Sequence, residues 1–146
     1  MNTRAVMQWL GYAGLLPFVG FALGTLVAQD YLQALSQRGF VIYSLAILCF
    51  LAGTLWGSAS SYTDAASMLR VSVSNGIVIF AALSVLTAQA LLAAALLMLG
   101  YLALLWYERN SSDNPPWYII LRTRLTIAVV LVHLCYLVAM VVRNGQ

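Results

Sequence analysis

Residues 71–107 read VSVSNGIVIFAALSVLTAQALLAAALLMLGYLALLWY, with no Asp, Glu, Lys or Arg among them. As one helix this window would reach roughly 55 Å at 1.5 Å per residue, far beyond the ~30 Å hydrocarbon core of a bilayer. It must therefore fold back on itself. The polar break Thr87-Ala88-Gln89 is the natural place, although no Gly or Pro marks the turn. Two spans follow, at about 67–86 and 89–107. Strands are excluded because the window lacks the alternation of apolar and polar side chains that a barrel strand needs.

Two charge-free windows precede it, Ala5 to Gln29 and Gly39 to Thr63, and an apolar run from Thr123 to Val142 follows. Each is long enough to cross a bilayer as a helix. The expected fold is an all-α membrane protein, one domain over residues 1–146, with five spans at about 6–28, 39–60, 67–86, 89–107 and 123–142. Composition agrees: 63% of the residues are hydrophobic and 8% charged, against about a quarter charged in a soluble domain. No cleavable signal or Arg-rich transit segment is evident, which reads as a bacterial protein inserted through its own helices. Segments 29–38, 60–67 and 109–116 are expected as loops. Asn110-Ser-Ser-Asp-Asn-Pro-Pro is a dense turn signal, and Asn110-Ser111-Ser112 also matches a glycosylation acceptor.

All seven basic residues are arginines, and the net charge is +3. Scattered as they are, they form no nucleic-acid stripe, so the partners expected are membrane lipids and other membrane proteins. With the amino terminus inside, Arg4, Arg70, Arg109, Arg122 and Arg124 are cytoplasmic, while Arg38 and Arg143 are outside. That split favours a cytoplasmic amino terminus in a bacterial inner membrane. Cys49 and Cys135 fall inside apolar runs and read as small fillers facing helix neighbours, not a disulfide.

On this topology Trp9, Trp56, Trp106 and Trp117 all fall on the cytoplasmic side, with Tyr12, Tyr62, Tyr107 and Tyr118. Tyr31, Tyr43 and Tyr136 fall on the other. An aromatic belt at headgroup depth explains the first set, and a cytoplasmic-side site is the alternative. Small residues recur every four positions at Cys49, Gly53, Gly57 and Ser61, and at Gly20 and Gly24. Gly20, Gly24, Gly53 and Gly57 are expected to let helices pack closely. Pro17 is expected to kink the first span and free a carbonyl one turn earlier.

Ionisable residues inside spans are the usual pointers to function. His133 sits near a span centre, where one His and two scattered Cys cannot make a metal or haem site. A neutral His hydrogen-bonded to another helix is the plainer role. Glu108, Arg122 and Arg124 flank the last loop. A Glu108–Arg122 pair is either a structural clasp at headgroup depth or, with Arg124 and Trp56, a site for an anion or lipid headgroup. Nothing resembles a nucleophile–base set, a phosphate loop or metal-ligand spacing, so neither catalysis nor a cofactor is expected.

Three segments carry a family resemblance: Leu10-Gly-Tyr-Ala-Gly-Leu-Leu-Pro-Phe18, Tyr43-Ser-Leu-Ala-Ile-Leu-Cys-Phe-Leu-Ala-Gly-Thr-Leu-Trp-Gly57 and Trp117-Tyr-Ile-Ile-Leu-Arg-Thr-Arg-Leu-Thr126. Together they resemble the domain of unknown function 3429 family, related to mitochondrial transmembrane protein 69. The third span departs, reading Val73-Ser-Asn-Gly-Ile-Val-Ile-Phe80 where the family tends to have a Pro and a Trp. Glu108 stands in place of an Asp, and Ala52 in place of the first Gly of a Gly-Gly pair. The resemblance implies five spans in an energy-transducing membrane and no assigned activity. The functional expectation is a non-enzymatic accessory or assembly protein that binds membrane proteins or itself. The alternative is a small binder or carrier of a lipid, quinone or anion at the cytoplasmic face.

Overall fold

The computed structural model describes residues 2–59, 64–87, 89–111 and 114–145. Ser60 and Ser61 at the end of the second span, Tyr62 of the aromatic set, Ala88 of the polar break, and Ser112 and Asp113 of the last loop lie outside them. Among the described residues every regular element is an α-helix: α1 Thr3–Ala13, α2 Leu15–Val27, α3 Asp30–Ala59, α4 Ala65–Thr87, α5 Ala90–Asn110 and α6 Pro116–Asn144. α1 and α2 together form one span, so five helical stretches are long and apolar enough to cross a membrane. The protein is an all-α, multi-pass membrane protein.

Two boundaries differ from the sequence expectation. α3 begins at Asp30, so residues 30–38, expected as a loop, are helical. Gln33, Ser36, Gln37 and Arg38 looked like loop residues, but no Gly or Pro interrupts them before Gly39, and Leu32 and Leu35 keep a helical pattern. The reversal between α2 and α3 is confined to Ala28 and Gln29, with Asp30 at φ 50°. α6 likewise begins at Pro116, seven residues earlier than expected, because a proline at the first helical position needs no N–H and is already set at a helical φ. Arg122 is therefore nearly two turns inside the helix. At the start of α4, Asp64 accepts the Ser67 N–H at 3.0 Å, and its hydrogen bonds to Ser67 hold its carboxyl below the ordinary range.

The first span breaks at Gly14, three residues before Pro17, whose missing N–H leaves the Ala13 carbonyl without its helical donor. The Tyr43 hydroxyl donates to the neighbouring Gly14 carbonyl at 2.9 Å. This break decides the architecture. α2, α3, α4, α5 and α6 form a closed ring, each packed on the next and α6 back on α2, with α3 and α5 also in contact across it. α1 leaves the ring: it touches α2 and α6 but makes no close backbone approach to α3.

Close packing rests on glycines other than most of those expected. The Ser36 side chain stands against Gly24, and the Phe21 ring covers Gly39 so tightly that a Cβ there would lie 2.5 Å from it. α2 and α3 thus notch into each other reciprocally. Leu48 fills the space above Gly100, where a Cβ would meet it at 2.7 Å. Gly20, Gly53 and Gly57 depart from the expectation: among the described residues a Cβ on any of them would meet nothing within 4 Å, so the close helix approach expected there is not seen. A four-residue stripe marks a face without saying which way it points, and the opposite side of α3, through Ser44, Leu48, Ala52 and Leu55, is the one buried.

Candidate functional site

The buried stripe of α6 runs through Arg122, Thr126, Val129, His133, Tyr136 and Met140, alternating steps of four and three. That of α5 runs through Leu97, Tyr101, Leu104 and Glu108. The helical period therefore sets Glu108 and Arg122 on the two inward faces. Arg122 donates from Nε to Glu108 Oε2 at 2.9 Å, and its Nη2 lies 2.7 Å from the same oxygen. The pair is covered, Glu108 being 1% and Arg122 4% exposed. This corrects the picture of a clasp at wet headgroup depth. Arg124, two residues and about 200° further round the helix, is exposed and takes no part in the pair.

Beside the ion pair lies a cavity of about 300 Å³. It occupies the gap that α1 leaves when it departs from α3, with α6 behind it and Phe18 and Tyr101 near its inner wall. Its lining is overwhelmingly apolar. Arg122, Thr126, Thr54, Tyr118 and Tyr101 are the lining residues whose side chains carry a polar group. Leu10 of α1 and Phe50 of α3 also line it, and both are 68% exposed, so they stand at its mouth. Leu10 lies roughly 10 Å along the first span from its Thr3 end, and Phe50 roughly 14 Å along α3 from its Ala59 end. The mouth thus opens sideways between α1 and α3 rather than at an end of the bundle.

Deeper in the bundle, the Ser44 and His133 side chains are hydrogen-bonded, Oγ to Nε2, at 2.8 Å, and His133 Nδ1 is 2.8 Å from the Val129 carbonyl. A carbonyl only accepts, so Nδ1 carries a proton; in the neutral ring Nε2 then accepts from Ser44. The Ser44 carbonyl accepts from the Tyr101 hydroxyl at 2.8 Å. Phe18, Phe40 and Tyr101 pack their rings around the imidazole, which is fully buried. The enclosed Ser–His pair acts as a polar fastener between α3 and α6.

The remaining expected residues separate. Trp56 is half-exposed on α3, does not line the cavity and does not join the ion pair. Trp9 and Trp106 are exposed in the manner of a belt, whereas Trp117 is half-buried beneath the Arg4 guanidinium, 5.2 Å from its ring centre. Tyr43 and Tyr136, expected at the opposite interface, turn inward: Tyr136 is buried and stacked 4.0 Å from Phe40, and Tyr43 closes on Gly14. Cys135 is exposed rather than facing a helix, while Cys49 is half-buried beside the core. Sequence reasoning missed Thr54, Tyr101 and Thr126 at the cavity, although Thr126 sits one turn after Arg122 on the same stripe.

Comparison with curated proteins and with solved structures returned no match. A family model does match, over residues 3–138, which takes in four spans, most of the fifth and both partners of the buried ion pair. The chain belongs to the family described as "Protein of unknown function (DUF3429)".

Proposed function

We propose that this protein binds one membrane-dissolved amphiphile in the cleft between α1 and α3, without catalysing a reaction. The observation that supports this reading is the lateral cavity, apolar along most of its length and polar at Arg122. A site whose mouth lies among lipid chains is reached from the bilayer rather than from water, and a largely apolar pocket with a few convergent polar groups suits a ligand of mixed character. The proposed setting is a bacterial inner membrane with the amino terminus cytoplasmic, a reading supported by the arginine distribution. The test is to extract purified protein from nanodiscs and compare its bound lipids with those of Leu51→Trp, in which the indole would fill the cavity. Enrichment of one amphiphile by the native protein and its loss in the variant is the expected result. The same lipid profile in both would overturn it.

A second reading, an accessory protein that packs against a membrane-protein partner or a second copy, is favoured by the open space outside Gly53 on α3. Intact mass in mild detergent separates the two. A stable complex that Gly53→Leu dissolves supports this second reading, and a monomer carrying lipid supports the first.

A further inference from the structure

The charge balance at the inner end of the cleft discriminates among amphiphiles. Arg122 and Glu108 are both more than nine-tenths buried, and the pair carries no net charge. Two of the guanidinium N–H bonds converge on Glu108 Oε2. Among the described residues no other acceptor meets this guanidinium, which presents five N–H bonds in all. Arg122 also lines the cavity, together with Thr126, Tyr118 and Thr54, whose hydroxyl donates to the Leu51 carbonyl at 2.7 Å.

We propose that this cleft selects an uncharged amphiphile whose head carries a carbonyl oxygen, held by the free N–H bonds of an Arg122 already neutralised by Glu108. The inference rests on the cleft reading above and names its ligand class. A carbonyl accepts a charge-assisted hydrogen bond from the guanidinium and adds no charge. An anionic head would sit beside the Glu108 carboxylate and make a buried site of net negative charge. A cationic head would meet the guanidinium. Either one gives up its hydration for a partner that is already paired. Quinone rings and the esters of neutral glycerides share the required chemistry.

The experiment titrates four tritiated probes into protein held in nanodiscs of zwitterionic lipid, with empty nanodiscs as the blank. The probes are a decyl-substituted benzoquinone, monodecanoyl glycerol, decyl sulfate and decyltrimethylammonium. The expected result is that at least one uncharged probe binds about tenfold or more tighter than either charged one, and the two uncharged probes then distinguish a quinone from a glyceride. Glu108→Gln leaves Arg122 unbalanced and should shift the preference tenfold or more toward decyl sulfate. Should that variant fail to fold, the double variant Glu108→Gln/Arg122→Met removes both charges and the donors together. It should bind the uncharged probes about tenfold or more weaker than the native protein does, while the charged heads stay excluded by the hydration they would lose in an apolar cleft.

Equal binding of all heads by the native protein, or a preference for decyl sulfate, would overturn the neutral-head inference and leave the cleft standing. Unchanged affinity for the uncharged probes in the double variant would also overturn it. Binding of no probe above the blank would overturn the cleft reading itself.

Discussion

Arg122 meets Glu108 through one oxygen, Oε2, with Nε at 2.9 Å and Nη2 at 2.7 Å, across the interface of α5 and α6. The two residues are joined by a short loop, but the loop is not what aligns them. Glu108 continues the buried stripe that includes Leu97, Tyr101 and Leu104, and Arg122 opens the one that includes Thr126, Val129 and His133. Their meeting is a consequence of helical period, and their burial changes what the pair is worth. An exposed pair contributes about 1 kcal/mol or less. Removing one partner of a buried pair leaves an uncompensated charge, which costs about 3–5 kcal/mol.

The first prediction follows from that difference. Glu108→Gln alone should destabilise the protein by about 3–5 kcal/mol, whereas Glu108→Gln/Arg122→Met should recover more than half of the loss. Unfolding of both variants in mixed micelles, referenced to the native protein, measures it. Equal losses in the single and double variants would mean that packing, rather than charge, dominates the site.

The second concerns the α2–α3 notch. Gly39 lies under the Phe21 ring, and Gly53 faces open space. In a bilayer, helices associate through close packing rather than through the hydrophobic effect, so a side chain inserted at a notch separates backbones. Gly39→Leu should cost about 1–3 kcal/mol or more from overpacking, and Gly53→Leu in the monomer should cost close to nothing. Thermal unfolding of the two variants in the same detergent gives the comparison. Similar costs would place a helix over Gly53 that this chain does not supply.

The contrast between these glycines shows what was legible in the sequence. Hydropathy and run length carry the five spans, because a bilayer demands about 20 apolar residues and the 71–107 window is too long for one helix. Helix ends were less legible where polar residues stay helical beyond the apolar run, as at Asp30–Arg38 and Pro116–Arg122. Which face turns inward was least legible. In a soluble protein the apolar stripe marks the interior, but in a bilayer both faces are apolar, so Gly53 and Gly39 read alike. Polar residues on a helical period were the better guide: Glu108, Arg122, Thr126 and His133 are all buried. The cavity left no sequence signal of its own, because it comes from the departure of α1 at Gly14 and from what α1 does not touch.

The third prediction tests the polar fastener between α3 and α6. Ser44 and His133, both fully buried, form an interhelical hydrogen bond of 2.8 Å. Such bonds in membranes average about 0.6 kcal/mol and reach about 1.7. A double-mutant cycle of Ser44→Ala and His133→Phe should give a coupling inside that range, with His133→Phe the more damaging single change because it leaves the Ser44 hydroxyl without its acceptor. A coupling near zero would show that the imidazole is held by the surrounding rings alone.

The last prediction concerns orientation. Arg4 packs over Trp117, joining the start of α1 to the start of α6, and Arg143 donates to the Ala28 carbonyl, joining the end of α6 to the α2–α3 reversal. The two termini therefore lie at opposite ends of the bundle, as an odd number of spans requires. The amino-terminal end collects Arg4, Arg70, Arg109 and Arg124 besides Arg122, Arg70 and Arg122 being buried, and the other end has Arg38 and Arg143. Arg122 is neutralised by Glu108, so it is a weak topological signal, but four against two still favours the amino terminus inside. A periplasm-dependent reporter fused after Gln146 should be active, and a cytoplasm-dependent one at the same position should be silent. The reverse pattern would invert the bundle and put the polar end of the cleft, with Thr54, Tyr118 and Arg122, in the outer leaflet. Adding two lysines after Gln146 sharpens the test: if arginine asymmetry sets the orientation, the periplasmic signal should weaken and a cytoplasmic fraction should appear.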